Sequence, residues 1–271
     1  MEKRLEVADG HRRTKIVDGP AGSIEVKIAG EGPAVVLIPS LGRGADDFDD
    51  LSVRLADHGY MAVAPEPRGI GVSTGPLDDL SMFDLAADTA AVIETLDIAP
   101  ATLVGHAFGN RVARMTATEH PKLVESVVLL ACGGLVPAAP EHTEALRTVF
   151  MSDASDAEHQ AAVAKAFFAP GNDASVWFDG WHRTTSGGQT RATTSLDPSH
   201  WWQAGQADVL VVQPEDDMVA LPANASTIVE QLGDRATLVT IPRAGHALLP
   251  EQPEAVAAVV LGWLSDRVQV G

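Results

Sequence analysis

One cysteine, Cys132, is present among 271 residues, and 19 basic side chains stand against 37 acidic ones. A single thiol forms no internal disulfide and builds no cysteine metal site. Histidine and aspartate do not cluster at metal-ligand spacing, and no glycine-rich phosphate loop occurs, so the pattern calls for neither a metal nor a cofactor. The scarcity of cations leaves a formal net charge of −18 and a pI near 4.7. That balance argues against nucleic acid, whose phosphates need a basic patch, and against anionic membrane surfaces. A solvated acidic surface is the plain reading. Long apolar runs are missing as well. The most apolar late stretch, Ala255 to Leu264, is too short to span a bilayer, and Met1–Glu6 lacks the apolar core of a signal peptide. A soluble, cytoplasmic protein is expected.

A hydrophobic content of 45% does supply a core. Strand-like runs alternate with helical periodicity: Ser23–Ile28, Ala34–Ile38, Tyr60–Ala64, a helix capped by Ser81, the strand at 101–104, a helix from Phe108 to Glu119, and Ser126–Ala131. The rhythm breaks over 135–205, a helix-rich stretch holding most of the large aromatics, and resumes with Val209–Val212. Apolar strands alternating with amphipathic helices predict a mostly parallel sheet covered on both faces. The core then comprises 1–134 and 206–271, and 135–205 is an insertion.

Directly after the strand at 101–104 comes Gly105-His106-Ala107-Phe108-Gly109. This is the G-x-S-x-G nucleophile elbow, a tight strand-to-helix turn, with alanine where serine belongs. Asp217 follows the strand at 209–212 and His246 follows the strand at 236–241, so nucleophile position, acid and histidine stand in the order of an α/β-hydrolase triad. With Pro67-Arg68-Gly69-Ile70-Gly71-Val72-Ser73 and Leu221-Pro222, these motifs make the chain resemble the capped α/β-hydrolase superfamily of esterases, lactonases and epoxide hydrolases.

The resemblance implies an α/β-hydrolase fold with a helical cap, 135–205, inserted after the sixth strand. It implies that His246 is a general base oriented by Asp217, and that the N–H groups of Leu41 and Phe108 form an oxyanion hole. His106 beside the tip, Arg43 in the oxyanion loop, and Trp177 and Trp181 in the cap are expected at the substrate, which the aromatics suggest is small and hydrophobic or aromatic. Arg68 reads as a loop pin and Cys132 as a buried apolar residue. Pro39-Ser40, Glu66, Asn110 and Pro214 depart from the family pattern near the site. Alanine at 107 leaves alternatives open. The chain is a hydrolase of a small ester or lactone inactivated by a Ser→Ala change or naturally divergent. Otherwise it is a cofactor-free lyase or oxygenase using the His246–Asp217 dyad, as hydroxynitrile lyases and cofactor-free dioxygenases of the superfamily do, or a non-catalytic binder. A homodimer is compatible with all of these.

Overall fold

The computed structural model describes residues 5–9 and 12–268. Nine strands form one sheet: β1 (Leu5–Asp9), β2 (Arg12–Asp18), β3 (Ser23–Ala29), β4 (Ala34–Ile38), β5 (Met61–Pro65), β6 (Ala101–His106), β7 (Val124–Leu130), β8 (Asp208–Pro214) and β9 (Ala236–Ile241). Their order is β1-β2-β3-β5-β4-β6-β7-β8-β9. The pairs from β5 through β9 are parallel, and β1, β2 and β3 add an antiparallel edge.

Successive side chains on the central strands serve opposite faces, as the pleat requires. On β4, Val36 and Ile38 enter one apolar cluster while Val35 and Leu37 enter the other. The first cluster is closed by α2 (Met82–Leu96), α3 (Phe108–Glu119) and α7 (Pro222–Leu232). The second is closed by α1 (Asp49–Asp57) and, beyond the short α8 (Leu248–Glu251), by α9 (Pro253–Val268). Ser81 caps α2 in a reciprocal box with Asp84, satisfying N–H groups that the first turn leaves free.

Between β7 and β8 the chain forms α4 (Pro140–Val149), α5 (Asp156–Phe167) and α6 (Arg183–Thr194). Val149, Val163, Phe167 and Trp177 share a third apolar cluster with Ala247 from the main body. These helices follow the seventh strand in chain order, where the resemblance implies the sixth. The charged stretch Arg12-Arg13-Thr14-Lys15, which carries no continuous apolar run, pairs with β3 along its whole length and adds to the strand count, as does β1. Among the described residues no helix is long and apolar enough to cross a membrane.

The strand order reverses at β4, whose neighbours are β5 on one side and β6 on the other. Open parallel sheets bind ligands at the carboxyl ends of the strands flanking such a switch point. The loop after β4 and the turn after β6 both lie there.

Candidate active site

Ala107 occupies the turn between β6 and α3 with φ 51° and ψ −106°. An L-residue is strained in that region. The turn is tight because its flanks have no side chain. A Cβ on Gly105 would lie 2.4 Å from the Asn110 nitrogen, and one on Gly109 would lie 2.0 Å from the Ile38 carbonyl oxygen. Two glycines therefore let α3 start hard against the end of β4. The Ala107 N–H donates to the Leu130 carbonyl at 2.9 Å, which fixes the tip to β7.

The same closeness brings Leu41 and Phe108 to one cavity, and the hydrogen bonds of the described residues include none from the N–H group of either. Phe108 begins α3, so its N–H has no acceptor within the helix and points with the positive end of the helix dipole.

His246 sits in the loop between β9 and α8. The Gly245 N–H donates to Glu251 Oε2 at 2.7 Å, and the Ala247 N–H to the Phe167 carbonyl at 2.8 Å, so the backbone is held on both sides of the histidine. Asp217 follows β8. Its Oδ1 accepts the Val219 and Ala220 N–H groups at 2.9 and 2.8 Å, which orients the carboxylate. His246 Nδ1 lies 3.0 Å from Asp217 Oδ2 and 3.1 Å from Oδ1. An ionised carboxylate only accepts, so Nδ1 carries the proton and Nε2 keeps a lone pair. Both residues are buried, yet His246 borders the same cavity as Ala107.

That cavity has a volume of about 420 Å³. Ser40, Leu41, Phe108 and Val219 border it from the main body, and Leu146, Phe150, Phe167, Trp181 and Thr194 from the inserted helices. Arg111, one helical turn after Ala107, also borders it. Among the described residues no three His, Cys, Asp or Glu side chains gather to hold a metal ion.

Three expected substrate contacts are not on the cavity wall. His106 is fully buried and its Nε2–H donates to the His246 carbonyl at 2.8 Å, so it braces the loop that carries the base. Burial, with smaller repulsion from His246 and Arg43, lowers its pKa to about 3 and keeps it neutral. Arg43 turns away from the cavity to pair with Asp47, donates to the Asp179 carbonyl at 2.6 Å, and lies over the Trp177 and Trp181 rings at 4.6 and 4.8 Å. Trp177 is buried in the cluster around α5, where the Arg43 guanidinium and Phe167 hold it. Trp181 does reach the cavity.

Arg68 pairs with Asp88 at 2.6 Å, and its carbonyl accepts the Thr185 hydroxyl at 3.0 Å, tying its loop to α2 and α6. Of the departures from the family pattern, Glu66 accepts the Ala45 N–H at 2.9 Å and pairs with Lys27 at 2.7 Å. Asn110 donates to the Ala131 carbonyl at 3.0 Å and accepts from Arg114 at 2.6 Å. Arg111 was not singled out by sequence reasoning. The available signal was its spacing: four residues past the elbow tip, on the face of α3 that carries Ala107.

Residues 33–169, just over half of the chain, match the profile described as the alpha/beta hydrolase fold. The chain belongs to the α/β-hydrolase fold family. It is 32% identical over 130 residues to 2-(acetamidomethylene)succinate hydrolase of Mesorhizobium japonicum, covering 48% of this chain and 46% of that one. It is 27% identical over 257 residues to the non-heme chloroperoxidase of Streptomyces lividans, covering 82% and 88%. The esterase structure from Exiguobacterium antarcticum superposes with a TM-score of 0.78 at 18% identity, over 92% of this chain and 98% of that one, a likeness of fold alone. The chain spans a third to a half of the length of the first curated relatives it matches.

Proposed function

We propose that the chain is built on a hydrolase plan for a small, mainly apolar ester or lactone, with alanine at the nucleophile position. The observation that carries this reading is His246, held by Asp217 at 3.0 Å, on the same cavity as the elbow tip and as Leu41 and Phe108, whose N–H groups have no partner among the described residues. In this reading 135–205 is a cap over the carboxyl ends of the strands. Its support is the cavity wall contributed by Leu146, Phe150, Trp181 and Thr194.

Each part has a chemical task. A serine Oγ at position 107 would attack the ester carbonyl while His246 Nε2 takes its proton and Asp217 stabilises the imidazolium. The Leu41 and Phe108 N–H groups would hold the oxyanion, His246 would return the proton to the leaving alcohol, and water would then release the acid. With alanine there, the acyl step has no attacking atom. Loss of a nucleophile costs on the order of a million-fold in turnover while binding survives.

A second reading has its own support: the acid–base pair is complete although the tip offers no nucleophile. As it stands, His246 Nε2 can take a proton only from water or from an acidic substrate, the step a cofactor-free lyase or oxygenase needs.

One panel decides between them: the protein and its Ala107→Ser variant against p-nitrophenyl acetate, a γ-lactone and an acidic β-diketone. The hydrolase plan gives the variant a burst of about one equivalent of p-nitrophenolate, an acetyl mass increment at position 107, and at least a thousand-fold gain in ester turnover. The absence of both burst and adduct overturns it. Diketone turnover by the unmodified protein, abolished by His246→Gln, supports the second reading instead.

A further inference from the structure

We infer that Arg111 is an anchor for an anion, and that the cavity takes a substrate carrying a carboxylate a few bonds from the reacting carbon. This rests on the reading of the cavity as the substrate site.

Arg111 and Ala107 are four residues apart, so they share a face of α3 and are separated by about 6 Å along its axis. Both border the cavity. The Arg111 side chain is half-buried, and its Nε is shielded from solvent with no hydrogen-bond partner. Its recorded neighbour is the Trp201 ring, 6.0 Å away.

Behind it lies a fully buried cation. Arg114 is fully buried, donates to Asn110 Oδ1 at 2.6 Å and to the Gly133 carbonyl at 2.8 Å, and leaves Nη1 unpartnered. Burial, with a smaller contribution from Arg111, lowers its pKa to about 10, so it remains charged at neutral pH. The thiol between them offers no counterion, because burial pushes the Cys132 pKa up and keeps it neutral. Asp217 is engaged by His246 and two backbone N–H groups.

Elsewhere the chain pairs its buried arginines with carboxylates: Arg43 with Asp47, and Arg68 with Asp88. Acidic residues are not scarce, since there are 37 of them. Yet among the described residues no aspartate or glutamate borders this cavity. An N–H withdrawn from water without a partner, as the Arg111 Nε is, is costly to keep. The Leu41 and Phe108 N–H groups are donors too, while on the same wall the Ser40 hydroxyl can donate or accept and the His246 Nε2 lone pair accepts. The Thr193 and Thr194 hydroxyls spend their protons on helix carbonyls. The cavity therefore offers apolar surface with a donor set complementary to an oxyanion at one point and a carboxylate at another. Planar guanidinium suits the second by bidentate pairing.

The test compares 4-phenylbutyrate with 4-phenylbutanamide, which differ in charge at nearly constant shape, by titration calorimetry on the protein as it stands. The acid should bind ten- to a hundred-fold more tightly than the amide, the range expected for charge-assisted hydrogen bonds. Arg111→Met should remove that preference while leaving amide affinity unchanged, and Arg111→Lys should keep part of it. Equal affinity of acid and amide in the parent protein, or a preference that survives Arg111→Met, overturns the assignment. If Arg111→Met fails to fold, the parent comparison and Arg111→Lys still decide. No turnover is read, so this outcome is independent of the burst at position 107.

Discussion

Replacing Ala107 with glycine should stabilise the protein, because the elbow stores strain for a nucleophile the chain does not have. At φ 51° and ψ −106° the residue lies where an L side chain crowds its own backbone, at a cost of about 1–3 kcal/mol. Glycine removes that cost. Against it stand about 0.4–1 kcal/mol for the greater freedom of glycine in the unfolded chain and a fraction of the ~0.8 kcal/mol of a buried methylene-sized group. The methyl is only half-buried, so little of the last is lost. The balance is about 1 kcal/mol in favour of Ala107→Gly, which raises the thermal midpoint by about 2–4 °C in a chain of this size. Differential scanning calorimetry on both proteins reads it directly. Ala107→Ser is the control, since it keeps the Cβ and the strain and should melt close to the parent. A midpoint that is unchanged or lower in the glycine variant refutes stored strain at the tip.

The neighbouring glycine and the buried histidine give two further expectations. Gly109→Ala forces a Cβ to within 2.0 Å of the Ile38 carbonyl oxygen, both partners being backbone; a loss of about 4 kcal/mol or failure to fold is expected, whereas Gly262→Ala, with open space around it in α9, should gain about 0.5–1 kcal/mol. Urea titrations that show Gly109→Ala no weaker than the parent would contradict the close approach of α3 to β4. His106 has its pKa lowered to about 3 by burial, against about 6.5 in the unfolded chain. Between those values the unfolded state binds a proton that the folded state does not, so stability is full above about pH 6.5 and falls as pH drops towards 3, by at most about 1.4 kcal/mol per pH unit. His106→Gln, which keeps a donor for the His246 carbonyl, should give a shallower decline between pH 6 and 4. Parallel curves for the two proteins place the acid sensitivity elsewhere.

The sequence made the elbow legible because sterics leave few choices there. Gly105 and Gly109 stand where a Cβ would collide with backbone, and such positions leave a mark in any chain that makes the turn. The alternation of apolar strands and amphipathic helices was legible for a related reason, since it follows from burying a sheet on both faces. The strand Arg12–Asp18 was not, because its side chains are mostly exposed or half-buried and it is held by backbone pairing with β3 and β1, which needs no apolar run. The positions of Arg43, His106 and Trp177 off the cavity wall were not legible for another cause. Nearness in sequence to the site does not fix the direction of a side chain; Arg43 is buried but drawn off the cavity by Asp47, four residues on, and by two tryptophans from a segment about 135 residues away.

Arg111 shows the same limit from the opposite side. An arginine in the first half of an amphipathic helix reads as solvated, and what makes it unusual is the lack of any partner in a cavity assembled from α3, the loop after β7 and the inserted helices. No single segment records that lack. It emerges when surfaces distant in sequence close over the side chain without bringing a carboxylate. The two anomalies of the site then have a common consequence. Alanine at 107 takes the nucleophilic oxygen from the elbow tip, and Arg111 adds donors and positive charge to the cavity. A cavity so arranged holds an anionic ligand more readily than it transforms one, which is why binding, read before turnover, is the measurement that separates the functions still compatible with this fold.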